Sequence, residues 1–278
     1  MNSPLINTPD QLLDDLGITE PSQLKIEAIA YHCQAVILYE PLSGCEANIV
    51  GKGDRAIITV DSNAIPTRQR FSAGHELGHW MRDRGQIAFG CSQRQIDSEW
   101  TANNPETRAN QFASDLLLPS KLFVPLAKGR PITMETVREL SRTFQMSLTA
   151  TAIKLIRFGS FSSMLVYYEN GNRKWFIPSS SDLPKRLWPS NQPNEGTATA
   201  GLLSGEINQE VVSDARADKW FDIQNADHYY VRESCFCSGP ESVVTLLWWE
   251  DEAQIIDLQE EEERNAVRRS DRRPADED

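Results

Sequence analysis

The sequence of 278 residues lacks several features that mark secreted and membrane proteins. Its five cysteines are an odd number at scattered positions, which does not suit the disulfide framework of a small secreted domain. The first residues, MNSPLINTPDQLLDD, have neither the basic nor the apolar region of a secretory signal. No apolar run approaches the roughly 20 residues that a membrane-spanning helix needs. We therefore expect a cytoplasmic protein without a membrane partner.

Basic residues are also scarce, since 28 lysines and arginines face 40 aspartates and glutamates and the net charge is −12. The imbalance is concentrated in residues 250–278, where 12 acidic residues against five arginines give −7. Such a run is typical of a solvated helix or a disordered end, and we assign residues 258–278 to a charged tail. The acidic balance argues against direct DNA binding, because phosphates attract clustered lysine and arginine.

The pattern of the chain changes near residue 160, from mainly helical to β-rich. Residues 8–40 are predicted to be mostly helical, with a broad apolar stripe over 24–36. The segment AIITV (56–60) is predicted to be a strand, and the sequence ENGN (169–172) favours a hairpin turn. We therefore predict an α+β protein with a domain boundary near residue 160.

The pentad HELGH (75–79) is the segment that most clearly points to chemistry. Two histidines four residues apart lie on one face of a helix, where both imidazoles can reach one zinc ion. Glu76 lies beside that face, where it can accept a proton from the attacking water as a general base. Gly78 costs helix stability, which favours a site that needs close backbone approach over a purely structural helix.

A zinc hydrolase site normally has three protein ligands, so a third must come from elsewhere in the chain. In NPETRANQF (104–112), Asn104 is a suitable N-cap, Pro105 suits the first helical position, and Glu106 falls in the first turn. Glu106 is therefore a candidate third ligand. Nearly as good an interpretation is that Glu106 is a solvated glutamate in the first turn, stabilised by the helix dipole. Asp97 and Glu99 are rival ligands.

These motifs together resemble the ImmA/IrrE family of metallopeptidases. Arg68 and Phe71 precede His75 as R-x-x-F-x-x-x-H, and ETRANQFASDLLLP (106–119) fills the second motif of the family. The resemblance covers residues 20–158, about half of the chain, with Gly74 where alanine is common. It implies a helical zincin-like metallopeptidase core with a small sheet over residues 1–130. It also implies that His75, His79 and Glu106 bind the metal and that Glu76 is the catalytic base.

The same resemblance implies a function and further domains. Members of the family cleave a helix-turn-helix (Xre-type) transcriptional repressor encoded nearby, which relieves repression in a mobile-element, phage or stress-response circuit. Residues 131–160 match the helix-turn-helix-like unit that follows the core, and residues 161–257 lie where one branch carries a GAF-like sensor domain. We expect a zinc-dependent endopeptidase, with manganese able to use the same ligands. The sequence leaves the oligomeric state open.

Two alternatives remain. The chain could be a DNA-binding regulator with a vestigial peptidase site, in which the basic residues of the helix-turn-helix-like unit touch phosphates. Those residues are Arg138, Arg142, Lys154 and Arg157. The chain could also be a ligand-sensing regulator whose C-terminal domain gates the peptidase. For the peptidase itself, we expect a substrate strand to add to an edge of the sheet, with AIITV as the edge.

Overall fold

The computed structural model describes residues 8–83, 88–91, 104–179, 183, 187–207, 209–223 and 225–271. It confirms the α+β class, since helices and two separate sheets share the chain. Contacts divide the chain into two compact units. The first consists of Met1–Leu126 and Leu140–Thr151, and the second of Ala127–Glu139 and Ala152–Asp278. The boundaries expected near residues 130 and 160 stay a prediction.

The first unit contains a four-stranded sheet with the order β1-β3-β2-β4. Its strands are β1 (Ala35–Glu40), β2 (Ala47–Lys52), β3 (Arg55–Asp61) and β4 (Ala88–Cys91). β3 is the predicted AIITV strand, and it pairs with β1 in parallel and with β2 in antiparallel. Because both of its sides are hydrogen-bonded, the expectation that AIITV forms the edge of the sheet is wrong. A strand's place in a sheet depends on pairings that are distant in sequence.

Among the described residues up to 158, the α-helices are, in chain order, α1 (Pro9–Asp15), α2 (Ile26–His32), α3 (Pro66–Asp83), α4 (Pro105–Leu117), α5 (Ser120–Ala127), α6 (Met134–Phe144) and α7 (Leu148–Phe158). The helix expected over residues 24–36 is shorter than its pattern suggests. It ends at His32, and Gln34 takes a left-handed conformation (φ 64°) before β1 begins. The β-branched and aromatic residues after Ala35 favour the strand over continued helix.

Helix α3 packs on the inner face of this sheet, where Ile49, Ile58 and Val60 are buried. Trp80 fixes the helix in two ways. Its indole Nε1 donates a hydrogen bond to the Cys33 carbonyl (2.8 Å), and its ring lies so close to Gly51 that a Cβ there would meet it at 2.7 Å. These contacts hold the HELGH segment at a defined depth under the strands.

The second unit contains a five-stranded antiparallel sheet with the order β6-β5-β9-β8-β7. Its elements are β5 (Ser163–Glu169), β6 (Asn172–Pro178), α8 (Ala198–Ser204), β7 (Val211–Arg216), β8 (Tyr230–Gly239), β9 (Ser242–Trp248) and α9 (Ala253–Asp271). The predicted hairpin is confirmed, because Asn170 and Gly171 join β5 to β6 with the positive φ angles of a type I′ turn. Tyr168, Trp220 and Trp249 dominate the core.

The C-terminal segment is helical over most of the range expected to be a charged tail. Helix α9 begins at Ala253, before the predicted start of the tail at residue 258. Ile255 and Leu258 are buried in the core of the second unit, so the first turns of α9 are anchored. Within the ranges that the structure describes, every helix falls short of the length or the apolar character that crossing a bilayer requires.

Helices α6 and α7 lie where the sequence predicts a helix-turn-helix-like unit, with residues 145–147 between them. Their basic residues are partly committed to contacts within the protein. Lys154 is buried, with its Nζ 4.4 Å from the centre of the Phe158 ring, and Arg138 forms an ion pair with Glu210. These contacts favour packing over phosphate binding, while the helix-turn-helix assignment itself stays a prediction.

Candidate metal centre

Small residues allow α3 and α4 to approach closely. A Cβ added to Gly78 would lie 3.1 Å from both the Cα and the carbonyl oxygen of Ala109, and 3.2 Å from the Cβ of Phe112. One turn earlier, a Cβ on Gly74 would meet the Cδ1 of Leu117 at 3.1 Å. The inference that Gly78 permits close backbone approach therefore agrees with the geometry. The consequence is that side chains from the two helices converge at short range.

Three of these side chains meet at one point. The Nε2 atoms of His75 and His79 are 3.1 Å apart. The Glu106 carboxylate reaches both rings, with Oε2 at 3.1 Å from Nε2 of His75 and Oε1 at 3.4 Å from Nε2 of His79. In the part of the chain that the structure describes, this is the one group of three or more histidine, cysteine or acidic side chains compact enough to hold a metal ion.

The separations suit a tetrahedral site. Ligands at about 2.0–2.1 Å from a zinc ion lie roughly 3.3–3.4 Å from one another in a tetrahedron. The observed distances of 3.1, 3.1 and 3.4 Å are close to this value. The two imidazole nitrogens and the carboxylate are thus arranged to fit a divalent ion.

Asn110 supports this arrangement from α4, one turn after Glu106. Its Oδ1 lies 2.9 Å from Nδ1 of His75. Because a carbonyl oxygen can only accept, the bond requires the proton on Nδ1 and leaves the lone pair on Nε2 of the neutral ring. That lone pair points to the side of Glu106 and His79, where three acceptor atoms gather. Such a set of acceptor atoms stabilises a bound cation.

The start of α4 places Glu106 as the sequence predicts. Asn104 caps the helix, with its side chain accepting a hydrogen bond from the Glu106 amide (3.0 Å), and Pro105 occupies the first turn. The close approach of the His75 and His79 rings holds the pKa of the Glu106 carboxyl well below its usual range. The side chain of Glu106 is 19% exposed while that of His75 is 2% exposed, so solvent reaches the centre from the side of the carboxylate.

Glu76 directly follows His75 on α3 and is buried, with a relative exposure of 1%. Its neighbour Leu77 is fully buried in the core, which fixes the rotation of the helix. The rival ligands Asp97 and Glu99 lie outside the described residues. The two remaining histidines are surface residues: His32 is exposed at the end of α2, and His228 is exposed in the second unit.

The sequence analysis assigned no role to Asn110, which lies four residues after Glu106. The signal that could have found it is their four-residue spacing, which puts an amide one turn from a candidate ligand. The Cys235-x-Cys237 pair has no part in a metal group within the described residues. Burial raises the pKa of the Cys235 thiol to about 12, which keeps it protonated.

Comparison with known proteins agrees with the fold and the motifs. The family model of the IrrE N-terminal-like domain (Peptidase_M78) matches residues 35–155. Among curated proteins, none matches this chain. A solved structure, described as a Mycobacterium tuberculosis transcriptional regulator, is similar over 88% of this chain and 76% of that chain, with a TM-score of 0.57. At 13% identity, this similarity shows the fold alone. Residues 35–155 thus match the IrrE N-terminal-like domain, which supports membership of the ImmA/IrrE family.

Proposed function

We propose that the protein is a metal-dependent endopeptidase. The observation that carries the proposal is the convergence of His75, His79 and Glu106 within 3.1–3.4 Å of one another on two closely packed helices. A metallopeptidase also agrees with the family of residues 35–155. Zinc suits two imidazoles and one carboxylate, and manganese accepts the same donors.

Each residue has a separate task in this proposal. His75, His79 and Glu106 hold the ion, and Asn110 orients the His75 ring through its Nδ1. A divalent ion bound there supplies Lewis acidity toward a peptide carbonyl and toward water. Glu76 takes a proton from the attacking water and passes it to the nitrogen of the leaving amine. Burial beside the ligands excludes bulk solvent from this carboxylate, which favours proton transfer at a defined position.

The proposed substrate is a helix-turn-helix transcriptional repressor encoded near this protein, whose cleavage relieves repression. Support comes from the family that residues 35–155 match and from the similar fold of a protein described as a transcriptional regulator. A protein substrate also suits a carboxylate that is 19% exposed, because an extended chain can reach the centre from that side.

The test is co-expression of the protein with the neighbouring helix-turn-helix protein, followed by mass spectrometry of the products. Wild type should cut the partner, and Glu76→Gln should not, while both bind one equivalent of metal. Glu76→Gln keeps the size of the side chain and removes its basicity, so loss of cleavage with metal retained identifies the base. Equal cleavage by both proteins would refute the role of Glu76, and a protein without stoichiometric metal would refute the metal centre.

A second candidate function is that of a regulator that binds DNA and no longer cleaves. The name of the structurally similar protein favours it. The burial of Lys154 and the ion pair between Arg138 and Glu210 weigh against it, because Lys154 is shielded from solvent and the charge of Arg138 is already paired with a carboxylate. Salt-dependent DNA binding without proteolysis would support this alternative.

A further inference from the structure

The first unit contains a cleft of about 590 Å³ that the proposed peptidase mechanism does not use, here named the basic cleft. Its walls are the start of α2 (residues 25–27), Tyr39 of β1, the first turns of α3 and residues 141–146. Arg70 in this cleft and His75 are five residues apart on α3, about 140° around the helix axis. The basic cleft and the metal centre therefore lie on different sides of α3. Its volume is within the range of small-molecule sites.

A buried guanidinium forms part of the basic cleft. Arg70 is 9% exposed, and its Nη2 donates a hydrogen bond to the Leu24 carbonyl at 2.6 Å. Its Nε has no hydrogen-bond partner, and Arg70 forms no ion pair with any carboxylate of the described residues. Burial lowers the pKa of Arg70, against the opposing influence of Glu27 and Tyr39. A buried guanidinium whose Nε–H lacks an acceptor is costly, so the site is incomplete as a purely structural arrangement.

Further positive charge surrounds Arg70. Lys25 and Arg142 are exposed and line the same cleft, and α3 begins at Pro66 in its wall, with the positive end of the helix dipole. The one acidic residue among the lining is Glu27, whose carboxylate accepts a hydrogen bond from the Tyr39 hydroxyl at 2.6 Å. Three cationic side chains against one carboxylate give +2, in a chain whose net charge is −12.

We propose that the basic cleft binds a small organic phosphate, of the size of a mononucleotide. A phosphate monoester carries a charge of about −1.5 to −2 at neutral pH, which matches the excess charge of the lining. Its oxygens accept paired hydrogen bonds from the planar guanidinium of Arg70, with Lys25 and Arg142 at the mouth. The rest of the ligand packs on the apolar lining, which includes Ile26 and Met146.

The test is calorimetric titration of the full-length protein with AMP and with pyrophosphate. Both should bind with saturation and more weakly at higher salt. The double variant Lys25→Ala/Arg142→Ala should weaken binding by tenfold or more. The matched control is Lys52→Ala/Arg55→Ala, which removes the same two residue types from exposed positions of the β2–β3 hairpin. This control should bind as wild type does.

Arg70→Met should abolish binding while the far-ultraviolet circular dichroism spectrum is unchanged. If Arg70→Met does not fold, binding by Lys25→Ala/Arg142→Ala is the test of the proposal. Absence of saturable binding of AMP and pyrophosphate would overturn the proposal. Equal weakening by both double variants would also overturn it, because general electrostatic attraction would then explain the binding. Citrate that binds as tightly as AMP would refute the preference for phosphate, and duplex DNA that binds where AMP does not would identify a nucleic-acid surface instead.

Discussion

Gly78→Ala is the substitution that tests most directly how the metal centre is assembled. The new methyl group would lie 3.1 Å from the Cα and the carbonyl oxygen of Ala109. These are backbone atoms that cannot rotate away, so α4 must shift by a few tenths of an ångström. Glu106 is in the first turn of α4, and its distance to both histidines depends on that spacing. Metal sites tolerate deviations of only about 0.2 Å in ligand distance.

The change in folding stability caused by Gly78→Ala follows from two opposing effects. Replacing glycine by alanine inside a helix stabilises it by about 0.8–1 kcal/mol. Overpacking a well-filled interface costs about 1–3 kcal/mol. We therefore expect Gly78→Ala to lose roughly 0–2 kcal/mol of stability in the metal-free protein, and to bind metal at least about tenfold more weakly because the ligands no longer converge.

Gly74→Ala is the matched control, four residues earlier on the same helix. Its methyl group would meet the Cδ1 of Leu117 at 3.1 Å and the Cβ of Ala113 at 3.4 Å. The end of a leucine side chain can move, so the helix gain of up to about 1 kcal/mol is kept and metal affinity is unchanged. Urea unfolding of the metal-free proteins and titration against a chromogenic chelator measure the two quantities. Equal metal affinity in both variants would refute the dependence of the centre on helix spacing.

Three further predictions concern single side chains. Asn110→Leu should lower metal affinity by about 10–100-fold, because His75 loses the acceptor that fixes its ring. The control Gln111→Leu, on the exposed side of α4, should leave metal affinity unchanged. Equal affinities of the two variants in a chelator competition would contradict the role of Asn110 in orienting His75. Burial raises the pKa of Glu233 above its ordinary 4.5. Between the ordinary and the raised pKa, the folded protein therefore binds more protons than the unfolded chain, and its stability falls as pH rises. Glu233→Gln should therefore raise the thermal midpoint by a few degrees near neutral pH and leave it unchanged at about pH 4, and a parallel pH profile for both proteins would exclude this contribution. A thiol reagent should modify the exposed Cys237 in the native protein and the buried Cys235 only on unfolding, which peptide mapping would show; early labelling of Cys235 would contradict its burial.

The parts of the centre that sequence could predict are those set by local geometry. His75 and His79 share a helix face because four residues make about one turn, and Asn104 with Pro105 marks the start of the next helix. The choice of Glu106 over Asp97 or Glu99 rested on the family pattern. No local rule brings a glutamate to two histidines 27 or more residues away, and the packing of Gly78 on Ala109 does so.

The other features that the sequence did not predict also depend on contacts between residues that are distant in the chain. The strand AIITV was predicted, but its central place in the sheet depends on β1 and β2, which approach from both sides. Residues 35–40 follow a helical apolar pattern as well as they follow a strand, and pairing with β3 decides for the strand. Arg70 gives no sign in the sequence that it is buried with an unpartnered Nε, since its surroundings come from four separate segments.

The path of the chain between the two units has a practical consequence. It leaves the first unit after Leu126, returns at Leu140 and leaves again after Thr151, so that α6 and α7 each belong to both units. Three covalent links therefore join the units, and a single proteolytic nick at any of them leaves the halves tethered. Truncation at one point cannot yield either unit alone, because a fragment with all residues of one unit also carries a segment of the other. A gene fragment that ends near residue 130 would lack twelve residues that complete the first unit.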